Sequence, residues 1–121
     1  MLRSWPEKFR DAFRGLFLAL ATERSFRVHL PMMVAVAVMA VLVRVSLVEA
    51  CLLGLCVTLV LALELANTAI ERLAREVVTE RSPAMRNVLD ISSAAVLLAS
   101  IAAAAIGATI FVPRLAAILG R

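Results

Sequence analysis

The sequence has one histidine, no tyrosine, one tryptophan, two cysteines and four glycines among its 121 residues. A lone histidine, His29, excludes a histidine-based metal site within one chain. Cys51 and Cys56 lie inside an apolar run, which reads as two small buried hydrophobes rather than a disulfide or a thiolate site. Gly15, Gly54, Gly107 and Gly120 are scattered, so there is no glycine-rich phosphate loop, and a nucleotide would have to be held in another way. Residues 1–27 carry charge throughout and have no apolar core segment, so no cleavable signal peptide is expected.

Apolar residues, by contrast, are abundant. The chain is 63% hydrophobic, with a mean hydropathy of +0.96. A soluble core of this size has no room for such an excess, so lipid is the expected solvent and 1–121 is expected to be a single domain. The net charge of +4 is modest, its placement says more than its size, and no nucleic-acid partner is expected.

The expected fold is an all-α membrane protein with an interfacial helix and three spans. Residues 5–27 open with Trp5-Pro6 and carry Phe9, Phe13, Phe17 and Leu20 at helical spacing, with Lys8, Arg10, Asp11 and Arg14 on other faces. That is the pattern of an amphipathic helix lying in the membrane surface. Arg24 and Arg27 suit lipid phosphates. Glu23 does not, because an anion gains nothing at an anionic surface. Residues 30–48 form the first expected span, with Pro31 in its first turn and Arg44 snorkelling. Residues 50–70 form the second and 91–112 the third, the latter rich in Ser, Ala and Gly that allow close helix contact. Lys and Arg are concentrated before the first span and between the second and third, which predicts those segments in the cytoplasm and the C-terminus outside.

The chain is organised around Leu61–Ile91. Glu64, Asn67 and Glu71 fall at i, i+3 and i+7, one face of a helix. Glu64 follows a long uncharged run, which places it inside the hydrocarbon boundary, with Glu71 at or beyond it. A carboxylate there costs a few kcal/mol unless paired, protonated or wetted, which marks the face as a candidate site. Several carboxylates, an amide and no thiolate or imidazole set favour a hard cation such as Mg²⁺. A carboxylate at the lipid boundary is placed to act as base on a lipid hydroxyl. Together these suggest transfer of a phosphoryl group from a metal-bound, water-soluble donor to a lipid, a reaction that needs mainly positioning and charge neutralisation.

Glu64-Leu-Ala-Asn67-Thr-Ala-Ile-Glu71 resembles the ExxN(T/S)AIE signature of the prokaryotic diacylglycerol kinase family. Glu23-Arg-Ser-Phe26-Arg27 and Asp90-Ile-Ser-Ser93-Ala-Ala-Val-Leu resemble two further stretches of that family, and the likeness covers about residues 9–112. The resemblance implies a homotrimeric bundle with sites between protomers, in which MgATP phosphorylates a membrane lipid. It implies Glu64 as general base and Glu23 and Glu71 as Mg²⁺ ligands. Asn67, Asp90 and Glu80 would join them at ATP, while Ser25, Phe26, Arg27, His29 and Ser93 would line the entry of the lipid substrate.

Two positions depart from the family pattern: Leu89 stands where a lysine is usual and Arg75 where an acidic residue is usual. Arg75 or Arg86 is a candidate for the missing cation. The alternatives are an undecaprenol kinase, suggested by the Glu23–Leu30 stretch, and a non-catalytic relative. A small multidrug-type transporter fits poorly, since Glu64 lies near the cytoplasmic end of a span and the one tryptophan lies outside the spans.

Overall fold

A computed structural model of the protein describes residues 2–120. They form four helices: α1 Trp5–Thr22, α2 Arg24–Leu42, α3 Leu47–Val77 and α4 Pro83–Leu119. The last three are long and apolar enough to cross a membrane. The described chain is all helix and turn.

α1 starts at a reciprocal cap. The Ser4 amide donates to the Glu7 carboxylate at 2.8 Å, and Pro6 occupies the first turn, where its missing donor is not needed. That bond holds the Glu7 carboxyl below its ordinary range, and so anionic at the positive end of the helix. Leu16, Ala19 and Leu20 turn towards the protein, while Phe9, Phe13 and Phe17 face away from it, each about as exposed as a surface residue. The helix stops earlier than expected. Glu23 takes an extended conformation, and residues 24–27 are the first turn of α2 instead of the end of α1. The stop is tertiary in origin, because Arg72 of α3 holds both Glu23 and Thr22.

This early start moves Pro31 out of the first turn and into the body of α2. α2 then ends before Arg44. The Val45 amide reaches back to Ala40 O at 3.2 Å and the Arg44 amide to Val41 O at 3.3 Å, with Arg44 at φ 55°. This is the bond pattern of a Schellman cap, closed here by arginine in the left-handed position where glycine is usual. Ser46 caps α3, accepting from the Glu49 amide at 3.2 Å.

At 1.5 Å per residue, the 31 residues of α3 reach about 46 Å, against a hydrocarbon thickness of about 30 Å. The excess lies beyond Ile70 and ends at Val77, two turns past the expected boundary. α4 begins at Pro83 with Ser82 accepting from the Met85 amide, and it runs through Pro113 to Leu119, past the expected end at 112. The helix continues through Pro113, and the residue after it is tied down. Arg114 is ion-paired with Glu49, and its guanidinium also donates to Val43 O at 3.4 Å and Arg44 O at 3.2 Å.

The main packing is the antiparallel α3–α4 pair. Met85, Leu89, Ser92, Val96, Ala99, Ala103, Ile106 and Ile110 are the partly or fully buried residues of α4 at alternating spacings of four and three, the seam of two helices at a shallow angle. α2 contributes Phe26, His29, Met33, Val36, Ala40 and Val43 at the same spacings. The outward faces stay apolar: Leu55, Leu59, Leu97, Leu98 and Ile101 are exposed. Cys51 also faces outward and Cys56 is half-buried, so only the second approaches the buried role expected of both.

Candidate active site

The polar residues gather at the two ends of the bundle. One end holds the Arg114–Glu49 tie. The other collects the start of α2, the second half of α3 and the start of α4, and it contains most of the residues singled out from the sequence.

Glu64, Asn67 and Thr68 are the buried polar side chains among the described residues, all on neighbouring turns of α3. Their burial follows from register: α3 continues in phase from the apolar seam, so residues at the same pitch stay inside after the sequence turns polar. The Asn67 side chain links two elements. Its amide donates to Glu71 Oε1 at 3.0 Å, and its oxygen accepts from Ser92 Oγ at 2.7 Å. Glu64 Oε2 lies 3.7 Å from His29 Nε2 on α2.

Glu23, at the break between α1 and α2, accepts from Arg72 Nε at 2.9 Å and from a terminal guanidinium nitrogen at 2.6 Å, both through Oε1. The same guanidinium binds Thr22 Oγ1 at 2.6 Å. Arg72 follows Glu71 directly in the chain, so this clamp brings Glu23 to the level of Glu71. Among the described residues no three acidic, histidine or cysteine side chains converge on one point. Yet Glu23 and Glu71 each bond through Oε1 only, leaving one oxygen of each carboxylate without a partner among the described residues. Two free carboxylate oxygens suit a hard cation that keeps water and phosphate oxygens as its remaining ligands.

Beyond this network lies an open cleft between the end of α3 and the start of α4, lined by Glu71, Arg75, Arg81, Met85 and Leu89. It adjoins a second, lined by Arg81, Ser82, Arg86, Leu89 and Asp90. Asp90 is exposed and lies 3.9 Å from Arg86, whereas Arg75 and Arg81 make no ion pair among the described residues. Leu89 belongs to the packing seam, so its side chain forms cleft wall.

The remaining residues divide. Phe26 is wholly buried, one turn before His29 on α2. Ser25 is half-buried, Arg27 faces outward and Ser93 is exposed, and none of the three makes a side-chain hydrogen bond among the described residues. Glu80 lies in the loop between α3 and α4 and joins neither cleft. Sequence reasoning missed Ser92 and the Arg72 clamp. For Ser92 a signal existed: it lies seven residues before Ala99, in phase with the seam, and Ser93 does not.

The sequence model of the prokaryotic diacylglycerol kinase family matches residues 10–111. Diacylglycerol kinase of Synechocystis is 36% identical over 112 residues, covering 92% of this chain, which spans 64% of that longer relative. Undecaprenol kinase of Bacillus subtilis is 31% identical over 114 residues, covering 94% of this chain and 93% of its own. No solved structure matches. With the signature face of α3 buried at one end of a three-span bundle and the match running nearly end to end, this chain belongs to the prokaryotic diacylglycerol kinase family, the lipid kinases.

Proposed function

We propose that the protein transfers the γ-phosphate of MgATP to the primary hydroxyl of diacylglycerol, giving phosphatidic acid, at the cytoplasmic face of a bacterial inner membrane. The observation that carries this reading is the buried carboxylate of Glu64 at the point where α3 passes from apolar to polar sequence, one turn from the Asn67–Ser92–Glu71 network. A lipid hydroxyl at headgroup depth meets Glu64 from the membrane, and a nucleotide meets Glu71 and the clefts from water.

In this mechanism the lipid oxygen attacks the γ-phosphorus as Glu64 takes its proton. Asn67, fixed by Ser92, orients Glu71. Arg72 orients Glu23. Glu23 and Glu71 would hold Mg²⁺, which would supply neutralisation of charge on the transferring phosphate. Asp90 and Glu80 lie on the side from which the nucleotide enters. Of the two candidate cations, Arg75 lies on the cleft wall with Leu89 and makes no ion pair among the described residues, while Arg86 has Asp90 beside it, so we assign Arg75 to the phosphates. Ser25, Arg27, His29 and Ser93 are at the lipid side.

Three copies form the active unit. The apolar outward faces of α3 and α4 offer surface for neighbours, and three thin spans do not by themselves enclose a nucleotide and a lipid headgroup. The Phe9, Phe13 and Phe17 face of α1, turned away from the protein, suits insertion into the interface. The distribution of Lys and Arg puts the site inside the cell and the C-terminus outside. Undecaprenol is the second reading for the acceptor, favoured by the relative whose length this chain nearly matches.

The test is transfer of labelled γ-phosphate from MgATP in mixed micelles, with diacylglycerol and undecaprenol offered separately. Label is expected in diacylglycerol, with a fall of about 10²–10⁴-fold in Glu64→Gln, the range for loss of a general base. Label in undecaprenol alone selects the second acceptor. Label in neither, from folded protein, rejects the kinase reading.

A further inference from the structure

Among the described residues, the one ionisable side chain within 4 Å of the Glu64 carboxylate is His29, the single histidine of the chain. Among the described residues no hydrogen-bond donor reaches the Glu64 carboxylate. Three other carboxylates at this end have partners of their own: Glu23 has Arg72, Asp90 has Arg86 and Glu71 has the Asn67 amide, while Arg24, Arg27, Arg75 and Arg81 make no ion pair among the described residues, with Glu64 or any other group. His29 is held in place by the helix that carries it, one turn beyond the wholly buried Phe26 and on the same α2 seam. The two side chains also differ in access, Glu64 being 8% exposed and His29 29%.

A general base must lose its proton before the next turnover. A carboxylate sunk at the lipid boundary has little water to give it to, and imidazole is the side chain suited to accept and release a proton near neutral pH. We infer that His29 is a positioning residue for Glu64 and the next acceptor of the proton once Glu64 has taken it. This rests on the reading of Glu64 as base. As the lipid oxygen bonds to the γ-phosphorus, the bond from that phosphorus to the bridging oxygen breaks, its electron pair leaves on ADP, and the hydroxyl proton passes to Glu64. The proton then passes to His29 Nε2, and the imidazole, the more exposed of the two side chains, returns one proton to water. The 3.7 Å separation is contact rather than a hydrogen bond; such pairs commonly tighten when substrate closes the site.

The test uses the full chain in mixed micelles with MgATP and the lipid it phosphorylates. kcat and both KM values are measured for His29→Ala and His29→Gln, with and without added imidazole. His29→Ala is expected to lose about 10–100-fold in kcat, with both KM values within about two-fold of the parent. Imidazole is expected to restore part of that kcat saturably. His29→Gln keeps an N–H at similar reach but does not accept and release a proton, so it is expected to stay slow. Full kcat in His29→Ala overturns the inference. So does a loss that glutamine repairs and imidazole does not, since that assigns His29 to packing or hydrogen bonding alone. Glu64→Gln in the same assay separates the two levels. Turnover by Glu64→Gln rejects Glu64 as base, whereas an inert Glu64→Gln beside a fully active His29→Ala rejects only the role of His29.

Discussion

The serine that matters structurally in the Ser92–Ser93 pair is the first. Its hydroxyl supplies the hydrogen bond to the buried Asn67 oxygen, whose amide in turn fixes Glu71. Removing the hydroxyl leaves a buried acceptor unsatisfied, which costs about 1–3 kcal/mol. Ser92→Ala is therefore expected to lower the thermal midpoint in detergent and to weaken MgATP binding through a less ordered Glu71. Ser93→Ala, at an exposed position, is expected to leave the midpoint unchanged. Thermal unfolding followed by circular dichroism decides between them. Equal midpoints would mean that the Ser92–Asn67 bond contributes nothing.

Helices α2, α3 and α4 are joined twice, once at each end, by different chemistry. At the site end the joints are Arg72–Glu23 and Ser92–Asn67. At the far end Arg114 satisfies two carbonyls at the end of α2 and the Glu49 carboxylate in the first turn of α3. Glu49 and Glu64 are about 22 Å apart along α3 at 1.5 Å per residue, so the far joint acts on stability and not on chemistry. Arg114→Ala is expected to lower the thermal midpoint in detergent, because Glu49 loses its partner and the Val43 and Arg44 carbonyls lose a donor. Phosphoryl transfer per folded molecule below the unfolding transition should be unchanged. A kcat that falls with Arg114→Ala at low temperature would show that the two ends are coupled.

For the molecule as a whole, the antiparallel order of the three long helices puts both clefts and the buried site at one end and Leu119 at the other. With Cys51 and Cys56 replaced by alanine, a cysteine at exposed Thr79 is expected to react with an impermeant thiol reagent only after the cell membrane is opened. A cysteine at exposed Leu119 is expected to react in intact cells. The reverse pattern would invert the topology read from Lys and Arg.

The sequence by itself determined the helical class, the three apolar helices and the signature face of α3. These depend on local periodicity and on the expense of placing charge in hydrocarbon, and both are written in the order of residues. It also marked Glu64, Asn67 and Glu71 as a group, because helical spacing alone aligns them. Tertiary structure decided the rest. The break at Glu23 depends on an arginine 49 residues away, and Arg114, just past Pro113, is held by a glutamate 65 residues away. Likewise, whether Ser92 or Ser93 meets Asn67, and whether His29 faces lipid or Glu64, is settled by how one helix is rotated against its neighbour. Adjacent residues on a helix differ by about 100° in direction, so only the packed seams could choose between them.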